Sequence, residues 1–87
     1  MSRHSAVPLF AALGDETRLA LVDRLCAGGP LSITQLTVGT GISRQAVTKH
    51  LTVLADEGLV HDTRRGRERV WVRDQERLAE ARHSLDQ

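Results

Sequence analysis

The sequence predicts a mainly α fold with a small β hairpin, in the order α-α-α-α-β-β-α of a winged helix-turn-helix, and three features predict it. Ser32-Ile33-Thr34-Gln35 is a capping box set between Leu31 and Leu36. Gly39-Thr40-Gly41 separates the short helix that follows from another whose apolar residues recur at Val47, Leu51 and Leu54. Two β-prone runs then flank Arg65-Gly66 before helical periodicity returns.

Taken in order, Val7 to Leu13 reads as a short helix ended by Gly14. Asp15 then offers its carboxylate to the free N–H groups of a second helix. Leu19, Val22, Leu25 and Cys26 recur there at helical spacing and form one expected apolar stripe, with Cys26 as a small buried hydrophobe, until Gly28-Gly29-Pro30 stops the segment. In the capping box, the Ser32 hydroxyl and the Gln35 amide each satisfy a backbone N–H at the other's position, and Leu31 with Leu36 supplies a hydrophobic staple. Ser43 opens the fourth helix, expected over 43–57, with Ile42 and Val47 as a second staple. Gly58 suits a left-handed stop that folds Leu59 back onto Leu54. Leu59 to Arg64 and Arg67 to Val72 are the expected strands, with the hairpin glycine at Gly66. From Asp74 a last helix places Leu78, Ala81 and Leu85 on one face.

Composition limits what this fold is for. With 87 residues, 40% apolar and 26% charged, the chain is expected to form a single domain, 1–87, around one core. Its apolar runs fall well below the roughly 20 residues of a membrane span, and its first residues lack an export signal, so a cytoplasmic protein with no membrane partner is expected. The net charge of +1 hides an uneven distribution. Residues 1–42 balance, 74–87 are acidic, and Arg64 to Arg73 holds five arginines against the single acid Glu68, a footprint suited to phosphates.

A helix-turn-helix braces one helix against the nucleic-acid backbone and aims the next into the major groove of double-stranded DNA. Here Leu36 and Val47 are expected to pack the two helices together. Arg44, Gln45, Thr48, Lys49 and Thr52 are left on the outer stripe of the second, and Ser43, Arg44, Gln45, Thr48 and Lys49 are expected to enter the groove. Arginine pairs with guanine and glutamine with adenine through two hydrogen bonds each, while Ser43 and the first-turn amides suit a phosphate. Arg64, Arg65, Arg67 and Arg69 are the expected phosphate or minor-groove contacts of the wing; a solvated edge strand kept from aggregating is the plainer reading. Trp71 is assigned to packing within the wing, and His50 and His61 to packing or phosphate contact.

Leu13-Gly14-Asp15-Glu16-Thr17-Arg18-Leu19 resembles the opening of the arsenic-repressor (ArsR/SmtB) family. Ser43 to Leu51, followed by Leu54, Gly58, Leu59 and Val60, is similar to that family's recognition helix and its exit into the wing, and Gly66-Arg67-Glu68 to its wing tip. The resemblance covers nearly the whole chain. It implies a homodimeric transcriptional repressor whose two recognition helices occupy adjacent major grooves. Metal-sensing members carry a cysteine pair in the third helix. Here that stretch is Ile33-Thr34-Gln35-Leu36-Thr37-Val38, and the histidine and carboxylates of the last helix do not reproduce the family's second metal pattern. No metal and no cofactor is therefore expected. An apolar dimer seam is expected from Val7, Leu9, Phe10, Leu78 and Leu85. No nucleophile-base set, carboxylate pair or phosphate-cradling loop is present to suggest an enzyme, whereas a winged helix used as a protein-protein interaction module stays open as the alternative function.

Overall fold

The computed structural model describes residues 11–85, without the side chains of 84 and 85. Residues 11–13 are helical. The rest of the helix expected over 7–13 lies outside the described residues, and with it Val7, Leu9 and Phe10 of the expected seam; so does the side chain of Leu85. The elements then run α1 (Glu16–Gly28), β1 (Leu31–Ser32), α2 (Ile33–Thr37), α3 (Arg44–Asp56), β2 (Val60–Arg65), β3 (Glu68–Arg73) and α4 (Gln75–Leu85). This is the mainly α, small-sheet arrangement expected.

The caps form where the sequence places them. Asp15 accepts from the Arg18 backbone N–H at 3.0 Å to start α1. At α2 both arms of the capping box are made, Gln35 N to Ser32 Oγ at 3.2 Å and Ser32 N to Gln35 Oε1 at 2.9 Å. Ser43 caps α3 by accepting from Ala46 N at 3.1 Å. That helix ends in a Schellman arrangement: Gly58 takes φ +75°, its N–H reaches the Ala55 carbonyl at 2.9 Å, and Leu59 N reaches the Leu54 carbonyl at 3.0 Å. The reversed chain enters β2 directly.

The core joins every layer. Leu21 and Leu25 of α1, Leu36 of α2, Val47, Leu51 and Leu54 of α3, Leu59, Val60 and Ala81 of α4 are all at most 1% exposed. Truncating a leucine in such a setting costs about 2–5 kcal/mol. Leu31, Trp71 and Leu78 pack against this cluster from its edge, as expected for Trp71. Leu78 thus spends part of its surface inside the chain rather than on an outer seam.

Three expectations need correction. The buried face of α1 is Leu21, Val22 and Leu25, while Leu19 is 46% exposed and Cys26 lies on the surface. Apolar residues at 19–22 and 25–27 wrap more than half of this helix, so spacing alone did not fix which edge turns inward. The hairpin turn sits one residue later than expected. Arg65 pairs with Glu68, leaving Gly66-Arg67 as the two-residue loop, and only Gly66 has positive φ, the sign pattern of a type II′ turn. Finally, the sheet has three strands, in the order β1-β3-β2. Leu31 and Ser32 pair with Trp71 and Val70 while also serving as staple and N-cap, and a two-residue strand leaves no periodicity to read.

Candidate nucleic-acid interface

On α3 the apolar residues Val47, Leu51 and Leu54 are buried, while Ser43, Arg44, Gln45, Thr48 and Lys49 are all exposed. The helix is thus divided as its sequence requires, and the five expected residues are brought together over its first two turns. They are not equally available. The oxygen of Ser43 already accepts from Ala46 N, leaving its hydroxyl proton to donate. Thr48 donates its own proton to the Arg44 carbonyl at 2.8 Å, and Thr52 donates to the Thr48 carbonyl at 2.9 Å. Arg44, Gln45 and Lys49 make no side-chain bond among the described residues and keep every donor for a partner.

The turn before α3 holds this face in place. Gly39 and Gly41 take φ of +82° and +74°, which L side chains adopt only with strain. Between them Thr40 Oγ1 donates to the Thr37 carbonyl at 2.8 Å and accepts from Ile42 N at 3.2 Å. Leu36 and Val47, both fully buried, lock α2 against α3.

The wing arginines do not form one patch. In the β2–β3 register Arg64 pairs with Arg69 and Asp62 with Trp71, so alternation puts Arg64, Arg69 and Asp62 on one face. Arg65, opposite Glu68, belongs to the other face, and Arg67 sits at the tip. Arg69 donates Nε to Asp62 Oδ2, and that hydrogen bond holds the Asp62 carboxyl below its ordinary range. A wing residue expected to contact phosphate or the minor groove is therefore already paired with a carboxylate on the adjacent strand. Sequence distance alone did not show that the diagonal contact would form.

Residues 13–63 match the family described as a helix-turn-helix domain. The chain is 41% identical to the HTH-type transcriptional regulator YuzN of Bacillus subtilis strain 168, over 80% of this chain and 83% of that protein. It is 35% identical to the arsenical resistance operon repressor of Escherichia coli K12, over 76% of this chain and 54% of the repressor. Among solved structures, an ArsR-like transcriptional regulator from Rhodococcus sp. RHA1 superimposes with a TM-score of 0.81 at 33% identity, covering 93% of this chain and 76% of that one. The chain belongs to the ArsR family of helix-turn-helix regulators. It is a DNA-binding transcriptional regulator and not an enzyme.

Within this ArsR-family fold, three arginines that sequence reasoning passed over fasten the helices around α3. Arg24 on α1 donates to the carbonyls of Leu36 at 2.7 Å, Gln35 at 2.6 Å and Val38 at 2.9 Å, so one guanidinium closes the C-terminal end of α2. Arg18 donates to the Ala12 and Ala11 carbonyls at 2.6 and 3.0 Å and to His50 Nδ1 on α3 at 3.3 Å. His50 thereby links α1 to α3; its expected role was packing or phosphate contact. Arg77 of α4 donates Nε to the Glu57 carbonyl at 2.8 Å, fastening α4 to the end of α3. The available signal was weak: each is a lone arginine inside an amphipathic helix, where solvated arginines are common.

The Arg18 N–H also holds the Asp15 carboxyl below its ordinary value. Among the described residues no three His, Cys, Asp or Glu side chains converge on a possible metal position, and no helix is long and apolar enough to cross a membrane.

Proposed function

We propose that this regulator represses transcription as a homodimer in the cytoplasm, with α3 reading the major groove through Ser43, Arg44, Gln45, Thr48 and Lys49. The wing adds phosphate or minor-groove contacts through Arg64, Arg65 and Arg67, and through Arg69 once Asp62 releases it. The observation that supports this reading best is the state of the α3 stripe. Arg44, Gln45 and Lys49 stand exposed with their hydrogen-bonding groups uncommitted, on a helix whose opposite side is fully buried and whose entry is fixed by two left-handed glycines. A solvated surface helix needs no such fixed entry, whereas groove readout does, because side chains must meet base edges in register. Repression is proposed on the likeness to the E. coli repressor.

Selection of bound duplexes from a random pool tests the reading. A dimer with paired recognition helices should enrich two inverted half-sites centred roughly 10 base pairs apart, and affinity should fall steeply with salt. A pool that yields no preferred sequence, or binding indifferent to salt, overturns it in favour of a protein-interaction module.

A further inference from the structure

The two threonines of the α3 stripe are oriented unlike the readers beside them. At 3.6 residues per turn the outward positions follow one another around the helix as Arg44, Thr48, Thr52, Gln45 and Lys49, so the threonines occupy the middle of the stripe between hydrogen-bonding side chains. Both are exposed, and both turn their hydroxyl protons back onto their own helix, Thr48 to the Arg44 carbonyl and Thr52 to the Thr48 carbonyl. That bond fixes χ1, because Cβ is branched and Oγ1 must lie against the preceding turn. The group left to face a partner is Cγ2, a methyl.

In the major groove only thymine presents a methyl, at C5, and a threonine methyl is a suitable apolar partner for it. We infer that Thr48 and Thr52 are specificity-determining residues that read thymine through methyl-to-methyl contact rather than through their hydroxyls. This assignment rests on the proposed major-groove reading of α3. The two side chains lie one helical turn apart, a rise of about 6 Å, close to two base-pair steps, so the thymines they select should be near neighbours within one half-site.

The test uses the full chain and the operator obtained by selection, with thymine replaced by uracil one position at a time, which removes the C5 methyl and leaves every hydrogen-bonding group. Uracil at a thymine facing Thr48 should weaken binding about fourfold, or about 0.8 kcal/mol for one methyl withdrawn from contact. Thr48→Ser, which keeps the hydroxyl and loses the methyl, should abolish the preference for thymine over uracil at that position. Thr48→Val, which keeps the methyl and loses the hydroxyl, should retain it. Thr52→Ser and Thr52→Val should behave likewise at a neighbouring thymine. Each preference is a ratio measured on one protein preparation, so a variant that is less stable does not disturb it. Uracil tolerated at every position overturns the inference alone. So does a preference that survives in both serine variants, or one that is lost with valine and kept with serine, which would make the hydroxyl the reader. Failure of the selection to yield any operator overturns it together with the reading of α3 beneath it.

Discussion

The Arg24 guanidinium lies 2.7 Å from the carbonyl oxygen of Leu36, whose side chain is fully buried against α3. One residue of α1 thus holds the helix that packs against α3, and it does so where the last carbonyls of α2 would otherwise need water. Arg24→Met keeps the aliphatic stem and removes all three bonds. A loss of about 2 kcal/mol is expected, seen as a melting temperature lower by about 10 °C in a thermal scan. Arg24→Lys, a single point donor without the guanidinium fork, should recover only part of it. A variant as stable as the parent would show that water replaces the clamp without cost.

Gly58 is the second stability test, and it isolates backbone from packing. A Cβ added there meets the Arg77 side chain no closer than 3.7 Å, an ordinary contact. The remaining cost of Gly58→Ala comes from φ +75°, about 1 kcal/mol, or a melting temperature roughly 5 °C lower. Because the Schellman turn also directs the chain into β2, the loss should be larger if alanine abandons the left-handed geometry, and hydrogen exchange at Leu59 N–H would then rise.

Features that announce themselves within four or five residues were legible in the sequence. Ser32 with Gln35, Ser43, and Gly58 with Leu59 each satisfy backbone groups locally, and each took its expected geometry. What depends on distant partners was not legible. The inward edge of α1 was decided by Leu21 meeting the rest of the core, the third strand by Leu31 meeting Trp71, and the charge state of the wing by Arg69 meeting Asp62. The exposed stripe of α3 was readable for the same reason as the caps: it is the complement of a local apolar period at Val47, Leu51 and Leu54.

The Asp62–Arg69 pair carries a pH prediction. The Asp62 carboxyl is held below its ordinary 3.8 by the Arg69 hydrogen bond. The folded state therefore binds that proton less readily than the unfolded chain. Any stability from the pair is present above pH 3.8 and is lost as the pH falls through the lower folded value. Both side chains are well exposed, so the stability effect should be small. The titration itself is the better readout. The Asp62 carboxyl carbon, followed by NMR, should show a midpoint below 3.8 in the parent and a higher one in Arg69→Ala. If the midpoint does not move, the pair is not formed in solution. Asp62→Asn frees the Arg69 charge, so duplex binding should strengthen and its salt dependence steepen by up to about one ion per protomer.

Stoichiometric zinc, cadmium or arsenite is expected to leave duplex affinity within about twofold, since α2 offers Ile33-Thr34-Gln35-Leu36-Thr37 where a metal sensor needs soft ligands. A tenfold loss at one equivalent per chain would reveal a site built around Cys26 or His83.

Helix and wing should fail differently when their charges are removed. If Arg44 and Gln45 read base edges, Arg44→Ala or Gln45→Ala should cost about 1–3 kcal/mol on the selected operator and much less on random duplex, narrowing the ratio between them. Arg65→Ala or Arg67→Ala removes a charge that meets phosphate or groove. Binding should weaken on all sequences, and the log–log salt slope should fall by roughly one per contact and protomer. The structure adds an internal control. All four side chains are exposed and none has a hydrogen bond or ion pair among the described residues, so melting temperatures should hardly change. It also predicts an order within the wing. Arg69, already paired with Asp62, should give a smaller loss on truncation than Arg67 at the tip, because part of its charge is neutralised before DNA arrives. Helix variants that weaken all duplexes equally, together with wing variants that change sequence preference, would make the wing the reader and the α3 stripe a phosphate clamp.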